Sequence, residues 1–441
     1  DIAPTLAANR QDSVIGAHGT LLLPGLHDHH IHLMSLAASL DSIQCGPPAV
    51  QTEQALASLL RDKNGGEANW LRGIGYHQSV AGDIDKHWLD QHIPDRPARI
   101  QHRGGRLWVL NSAALQTLNI CDDGSPAGLE HNQGEATGRL YEEDLWLRNR
   151  LRSTAPNLKN ASTLLAQYGV TGITDTTPSN GTDAWTYFQQ SQKKGELKQR
   201  VRMMGSADLL NCIETDLLTR GERKIHLLES QLPDLDSLCR EIESAHRTDR
   251  RIGIHCVTLT ELVFALHALE MTGTLAGDRI EHASVCPDEQ LQLIQRLGLR
   301  IVTQPHFIGE RGDQYLRDVE TADQPWLYRT AGFLKQGVPL ASGSDAPFGG
   351  ANPWQSMQAA VQRKTPSGEI MGETEVLSPE QALELFLSPP DSPGLNKRCV
   401  SVGAIADLCL LTEPWEKVRN ELGNCKVRCT WRDGKLIHGS A

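Results

Sequence analysis

Eight short apolar runs, separated by stretches of helical periodicity, constrain the fold of this chain more than any other feature of it. They cover residues 21–32, 170–175, 200–204, 224–228, 251–256, 279–282, 299–304 and 338–345. Residues 235–246, with Leu238, Ile242 and Ala245 on one stripe, read as an amphipathic helix, as do 259–271, 288–297 and 327–336. Strands alternating with helices are the signature of repeated β-α units around a parallel sheet. Eight such units close most simply into an α/β fold of the (β/α)8 TIM-barrel type.

Two regions stand outside this cycle. Roughly 140 residues separate the first two runs, far more than a simple β-α connection needs. Within them, 97–103 is strand-like and 111–118 helical, so residues 40–155 are expected to form an inserted α+β lobe within a barrel domain of 21–399. From about residue 401 the chain turns to short β-runs, 402–411, 427–431 and 435–438, with a turn at Arg432-Asp433-Gly434. Residues 13–20 could pair with them, so 1–20 and 400–441 together are expected to build a small β-sandwich.

The first run ends in Pro24-Gly25-Leu26-His27-Asp28-His29-His30-Ile31-His32-Leu33, which places four histidines and an aspartate within six positions. Alternate side chains of a strand share a face, so His30 and His32 project together, as two imidazoles holding one metal ion must. His27 and His29 fall on the opposite face and read as supporting residues. Catalytic residues of a barrel sit where strands end. The other strand ends supply Lys224 on the fourth, His255 on the fifth, His282 on the sixth and Asp345 on the eighth. Singly, each is an ordinary strand-end residue; jointly, they form a specific pattern.

Through this set the chain resembles the metal-dependent amidohydrolase superfamily, in particular the amidohydrolase-3 branch that includes N-substituted formamide deformylases. Residues 24–33 match the opening Pro-Gly-Phe/Leu-x-Asp-x-His-x-His-Leu block. Gly169–Asp175, Arg279–Ala283, Gly343–Pro347 and the closing Val402-Gly403-x-x-Ala406-Asp407-Leu408 match later ones. The resemblance implies that His30, His32, His255 and His282 are metal ligands and that Asp345 is both ligand and proton shuttle. It implies one or two divalent ions per chain, zinc foremost, and allows a carboxylated Lys224 bridging two of them. Glu142, in a block resembling Thr-Gly-x-Leu-x-Glu, is a second candidate for a site carboxylate. Where many branch members carry Asp-Gly-His, this chain reads His102-Arg103-Gly104-Gly105-Arg106.

The implied chemistry is hydrolysis of a C–N bond in an amide, N-formyl or cyclic amide by a metal-bound hydroxide, with Asp345 as general base and then acid. Weaker substrate-facing candidates are His102, Arg103, Gln304, His306 and Arg311, the arginines suited to a carboxylate. A heterocycle deaminase on the same scaffold is the first alternative. It ranks lower because Glu261 lies six residues after His255, without a His-x-x-Glu spacing. A catalytically silent ligand-binding relative is the second, opposed by retention of all four histidines and Asp345.

Composition narrows the partners. A net charge of −11, from 43 basic and 54 acidic residues, argues against a nucleic-acid binder. No apolar stretch has the length of a membrane span. Ten scattered cysteines without a Cys-x-x-Cys pair argue against zinc-ribbon and thioredoxin-type sites. With no signal-peptide pattern at Asp1-Ile2-Ala3-Pro4, reduced thiols and a cytoplasmic location are expected. The expected partner is a small-molecule substrate, with homo-oligomerisation left open.

Overall fold

The computed structural model describes residues 15–47, 49–63, 70–120, 125–151 and 155–440. The chain divides into two compact units, Met34–Asn157 and the remainder. In the latter, eight strands lie side by side, all parallel: β1 (Leu26–Ile31), β2 (Val170–Asp175), β3 (Arg200–Gly205), β4 (Leu218–His226), β5 (Ile252–Cys256), β6 (Arg279–His282), β7 (Arg300–Thr303) and β8 (Leu340–Ser342). Just beyond β1 and β8 the sheet closes on itself. Asp345 N donates to His30 O at 2.7 Å and His32 N to Ala346 O at 3.0 Å. The expected barrel is the observed one. Its strands are apolar runs because they are covered on both faces; β2, for example, is buried at every position.

Helices cover the strands with the anticipated stripes. Leu235–His246 buries Leu238, Cys239, Ile242 and Ala245. Leu259–Thr272 starts at a capping box in which Thr258 and Glu261 satisfy each other's backbone donors. One helix is shorter than its periodicity: 327–336 is helical only over Ala331–Lys335. The distant Glu375 carboxylate accepts from Thr330 N at 2.9 Å and Gly332 N at 2.7 Å, so this contact sets where the helix begins.

A four-stranded antiparallel sheet accompanies the barrel, built from Leu22–Pro24, Leu408–Leu411, Val427–Arg432 and Lys435–His438. Its N-terminal strand is Leu22–Pro24 rather than 13–20, of which residues 13 and 14 lie outside the described residues. The run 21–32 therefore serves two sheets, dividing at Gly25, where a side chain would strike Thr171. Residues 402–407 are not strand, since Gly403 adopts φ +85° and Val402 and Ile405 face solvent. The Val-Gly-x-x-Ala-Asp-Leu block is a tether instead. Asp407 accepts from Gly25 N on its carbonyl, from Asp433 N at 2.7 Å on Oδ1, and pairs with Arg200 Nε at 3.0 Å through Oδ2.

The unit Met34–Asn157 has its own six-stranded mixed sheet, ordered Ile43–Gln44, Leu71–Tyr76, Ala98–His102, Leu107–Leu110, Glu135–Tyr141, Leu129–Asn132. Its core gathers Leu56, Leu60, Leu89, Ile100 and Val109. Asn111 caps the helix Ser112–Thr117 and also accepts from Ala98 N at 2.9 Å, joining helix to sheet. No helix among the described residues is long and apolar enough to cross a membrane.

Candidate active site

The site forms at the barrel seam, where β1 and β8 end. Asp28 Oδ1 accepts from His30 N at 3.1 Å and from Ser344 N at 2.9 Å, holding the two strand ends together. Gly343 permits the close approach, because a Cβ there would lie 2.3 Å from His30 N. Two residues on, Asp345 takes a left-handed conformation, φ +51°, which aspartate tolerates better than most residues. Its Oδ1 lies 3.4 Å from His30 Nε2 and 3.2 Å from His32 Nε2. His30, His32 and Asp345 thus offer ligand atoms all within 4.8 Å of one another.

The remaining histidines stand ring against ring. His282 is 4.7 Å from His30 and 4.5 Å from His255, centroid to centroid, and His226 packs 4.4 Å from His255. His282 follows Glu281 on β6, and strict alternation would turn the two side chains apart. The backbone bends instead, with φ +71° at His282 and +46° at Ala283. Lys224 is buried on β4, and its Nζ has no hydrogen-bond partner among the described residues. The structure therefore gathers His30, His32, His255, His282 and Asp345 around one end of the barrel.

The rings of His30, His32 and His282 are oriented from behind. His32 Nδ1 meets Thr177 Oγ1 at 3.0 Å, and His282 Nδ1 meets Gln304 Oε1 at 2.7 Å. His30 Nδ1 is bonded to the Glu281 carboxylate, which is gripped in turn by Arg279. Burial, reinforced by neighbouring cationic groups, holds His255 well below its usual range and His282 down to about 3. Burial also pushes Lys224 down, against the pull of Glu281. For Asp345, burial is outweighed by its contacts with His30 and His32, which keep the carboxyl well below the usual range. His255 and His282 are thus neutral imidazoles beside an ionised carboxylate, and His30 Nε2 is buried and lacks a hydrogen-bond partner among the described residues. Such a donor set fits a divalent cation.

The other sequence candidates have partners of their own. Gln304 lies behind His282. His306 donates from Nε2 to Ser344 O at 2.9 Å, bracing the loop that carries Asp345. Arg311 stacks over Phe307 at 4.4 Å and donates to Phe348 O, and the Phe348 ring lies 5.5 Å from His32. His27 and His29 turn to Thr174 and Ser388, at 2.9 and 3.0 Å. In the other unit, Glu142 pairs with Arg106 at 3.5 Å, and His102 bonds Gln78 at 3.1 Å with its ring held down to about 4, chiefly by burial. Arg103 N donates to Tyr76 O at 2.8 Å there. Sequence reasoning missed Glu281, Arg279, Asp28 and Thr177. The Arg279-Ile280-Glu281-His282 spacing was the available signal, since it puts the arginine and glutamate on one strand face.

A closed parallel barrel bearing this histidine–aspartate set at its strand ends defines a barrel hydrolase with a candidate metal centre. The chain belongs to the Amidohydrolase family, whose model matches residues 13–438. It is 24% identical to the N-substituted formamide deformylase of Arthrobacter pascens, over 98% of this chain and 90% of that one. An uncharacterized metal-dependent hydrolase from Pyrococcus horikoshii OT3 superposes with a TM-score of 0.67 at 23% identity, covering 84% of this chain and 81% of the other. N-isopropylammelide isopropylaminohydrolase from Burkholderia multivorans ATCC 17616 gives 0.52 at 14% identity, covering 98% and 90%. These structural likenesses establish the fold.

Proposed function

We propose that the protein hydrolyses a C–N bond of a small amide, N-formyl or cyclic amide, with Asp345 as general base and then general acid. The observation that carries this reading is the Asp345 carboxylate, 3.2 and 3.4 Å from the Nε2 atoms of His32 and His30 at the barrel's catalytic end. The proposed metal holders are His30, His32, His255, His282, Asp345 and Lys224, for one or two divalent ions, zinc foremost. A cation bound there supplies Lewis acidity at the substrate carbonyl and lowers the pKa of water. Asp345 is ionised at neutral pH, so its resting form is the proton acceptor, and its protonated form then returns the proton to the leaving nitrogen. Carboxylation of Lys224 is part of the proposal; support comes from its buried Nζ, which has no hydrogen-bond partner among the described residues and would become an anionic ligand group.

The N-formyl arm of the substrate class is supported by the name of the Arthrobacter relative. The deaminase reading loses ground at Glu261. That carboxylate is engaged by the backbone N–H groups of Val257 at 2.7 Å, Thr258 at 3.1 Å and Glu229 at 2.9 Å. The test is a screen of N-formyl and N-acyl amines for amine release, comparing the metal-loaded protein with Asp345→Asn. The expected result is turnover lost and metal retained in the variant. Turnover that survives the substitution would overturn the proton-shuttle role.

A further inference from the structure

Behind the first-strand histidine lies a buried ion pair that the proposed chemistry does not use. Arg279 and Glu281 sit two apart on β6, and both are 0–1% exposed. Arg279 clasps the carboxylate through Nε and, at 3.0 Å, through Nη2. The same Nη2 donates to His29 O at 2.8 Å on β1. Glu281 Oε2 bonds His30 Nδ1. The contact thus crosses between strands that are not neighbours in the barrel, since β7 and β8 intervene in the sheet order.

An ionised carboxylate only accepts hydrogen bonds, so His30 Nδ1 carries a hydrogen, which leaves Nε2 as the ring nitrogen available to a cation. That nitrogen points to the side where Asp345 Oδ1 lies 3.4 Å away. His32 and His282 are held by a neutral hydroxyl and a neutral amide. A charged acceptor makes the opposite ring nitrogen a stronger donor than a neutral one does. A buried arginine–glutamate pair is also costly to desolvate, and an apolar pair of similar volume would commonly serve stability as well. Stability therefore gives no reason for this carboxylate to face His30.

We propose that Glu281, gripped by Arg279, is a positioning residue: it fixes the His30 ring with Nε2 toward Asp345 and His32 and strengthens that nitrogen for a divalent cation. This rests on the metal-hydrolase reading above. The test titrates zinc into the metal-stripped full chain against a chromophoric chelator, with thermal unfolding of the metal-free protein recorded in parallel. Glu281→Gln keeps the volume and removes the charge; it is expected to weaken zinc binding roughly 10–100-fold, with partial recovery in Glu281→Asp. Should Glu281→Gln fail to fold, the double variant Arg279→Met/Glu281→Leu removes both charges and is expected to show the same weakening. Either folded variant binding zinc within about twofold of the parent overturns the proposal. His30→Ala separates the two levels. If it binds zinc like the parent, the metal reading itself falls; if it loses zinc while Glu281→Gln keeps it, only the positioning role falls.

Discussion

Gly343→Ala should disrupt the barrel seam and the site together. A Cβ at this position would lie 2.3 Å from His30 N, 2.5 Å from His30 Cβ and 2.7 Å from His30 Cα, so backbone must move by roughly 1 Å to reach ordinary contact. The seam depends on Asp345 N to His30 O at 2.7 Å and His32 N to Ala346 O at 3.0 Å. Overpacking a well-filled site costs about 1–3 kcal/mol. Loss of two buried backbone bonds adds about 1 kcal/mol each. The sum, about 3–5 kcal/mol, corresponds in a chain of 441 residues to a thermal midpoint lowered by roughly 3–7 °C. Asp345 would be displaced from His30 and His32, so zinc binding should weaken in the same variant. Gly309→Ala is the matched control. Gly309 lies inside the helix His306–Asp318, and its new Cβ would meet Ala359 and Lys364 only at 3.8 Å. Alanine there should stabilise by about 0.5–1 kcal/mol. Calorimetry of both metal-free variants decides the matter. A Gly343→Ala protein as stable as Gly309→Ala, with unchanged zinc affinity, refutes the seam argument.

Three further outcomes follow from buried groups. His27 and His29 are held well below 6.5, first by burial and then by neighbouring cationic groups, so the folded chain keeps them neutral while the unfolded chain protonates. Stability should therefore fall as pH drops below about 6.5, by up to about 1.4 kcal/mol per unit for each group; urea midpoints of the metal-free chain that stay level from about pH 7.5 to 5 would contradict this. Arg363 donates to Met371 O at 2.7 Å, Tyr328 O at 2.8 Å and Leu327 O at 2.9 Å, so Arg363→Leu leaves three buried carbonyls without donors and should cost about 3 kcal/mol or more by urea unfolding. Thr258→Ala removes the cap of Leu259–Thr272 and should cost about 1 kcal/mol, read from the same unfolding curves.

The barrel was legible because most of its strand positions are buried on both faces. Burial of that kind selects uninterrupted apolar runs, and the runs at 170–175 and 279–282 coincide with β2 and β6. The site was legible at strand ends for a related reason: a His or Asp closing an apolar run stands out against it. His30, His32, His255, His282 and Asp345 were all read this way, and the fold draws them together. Local sequence also foretold the helix stripe of Leu238, Ile242 and Ala245.

What the chain could not reveal by itself were pairings between distant segments. Leu22–Pro24, not 15–20, joins the small sheet because its partner, Leu408–Leu411, lies almost four hundred residues away. The helix expected over 327–336 starts late because Glu375 caps it from outside. His282 faces the site through a positive φ that overrides strand alternation. Glu281 reaches His30 across 251 residues of sequence. Periodicity and residue type record whether a position is buried and what chemistry it carries, so the sequence by itself determined the barrel and which side chains its strand ends present. Hydrogen bonds are made between atoms that only folding brings within 3 Å, so tertiary structure alone decided which carboxylate orients which histidine.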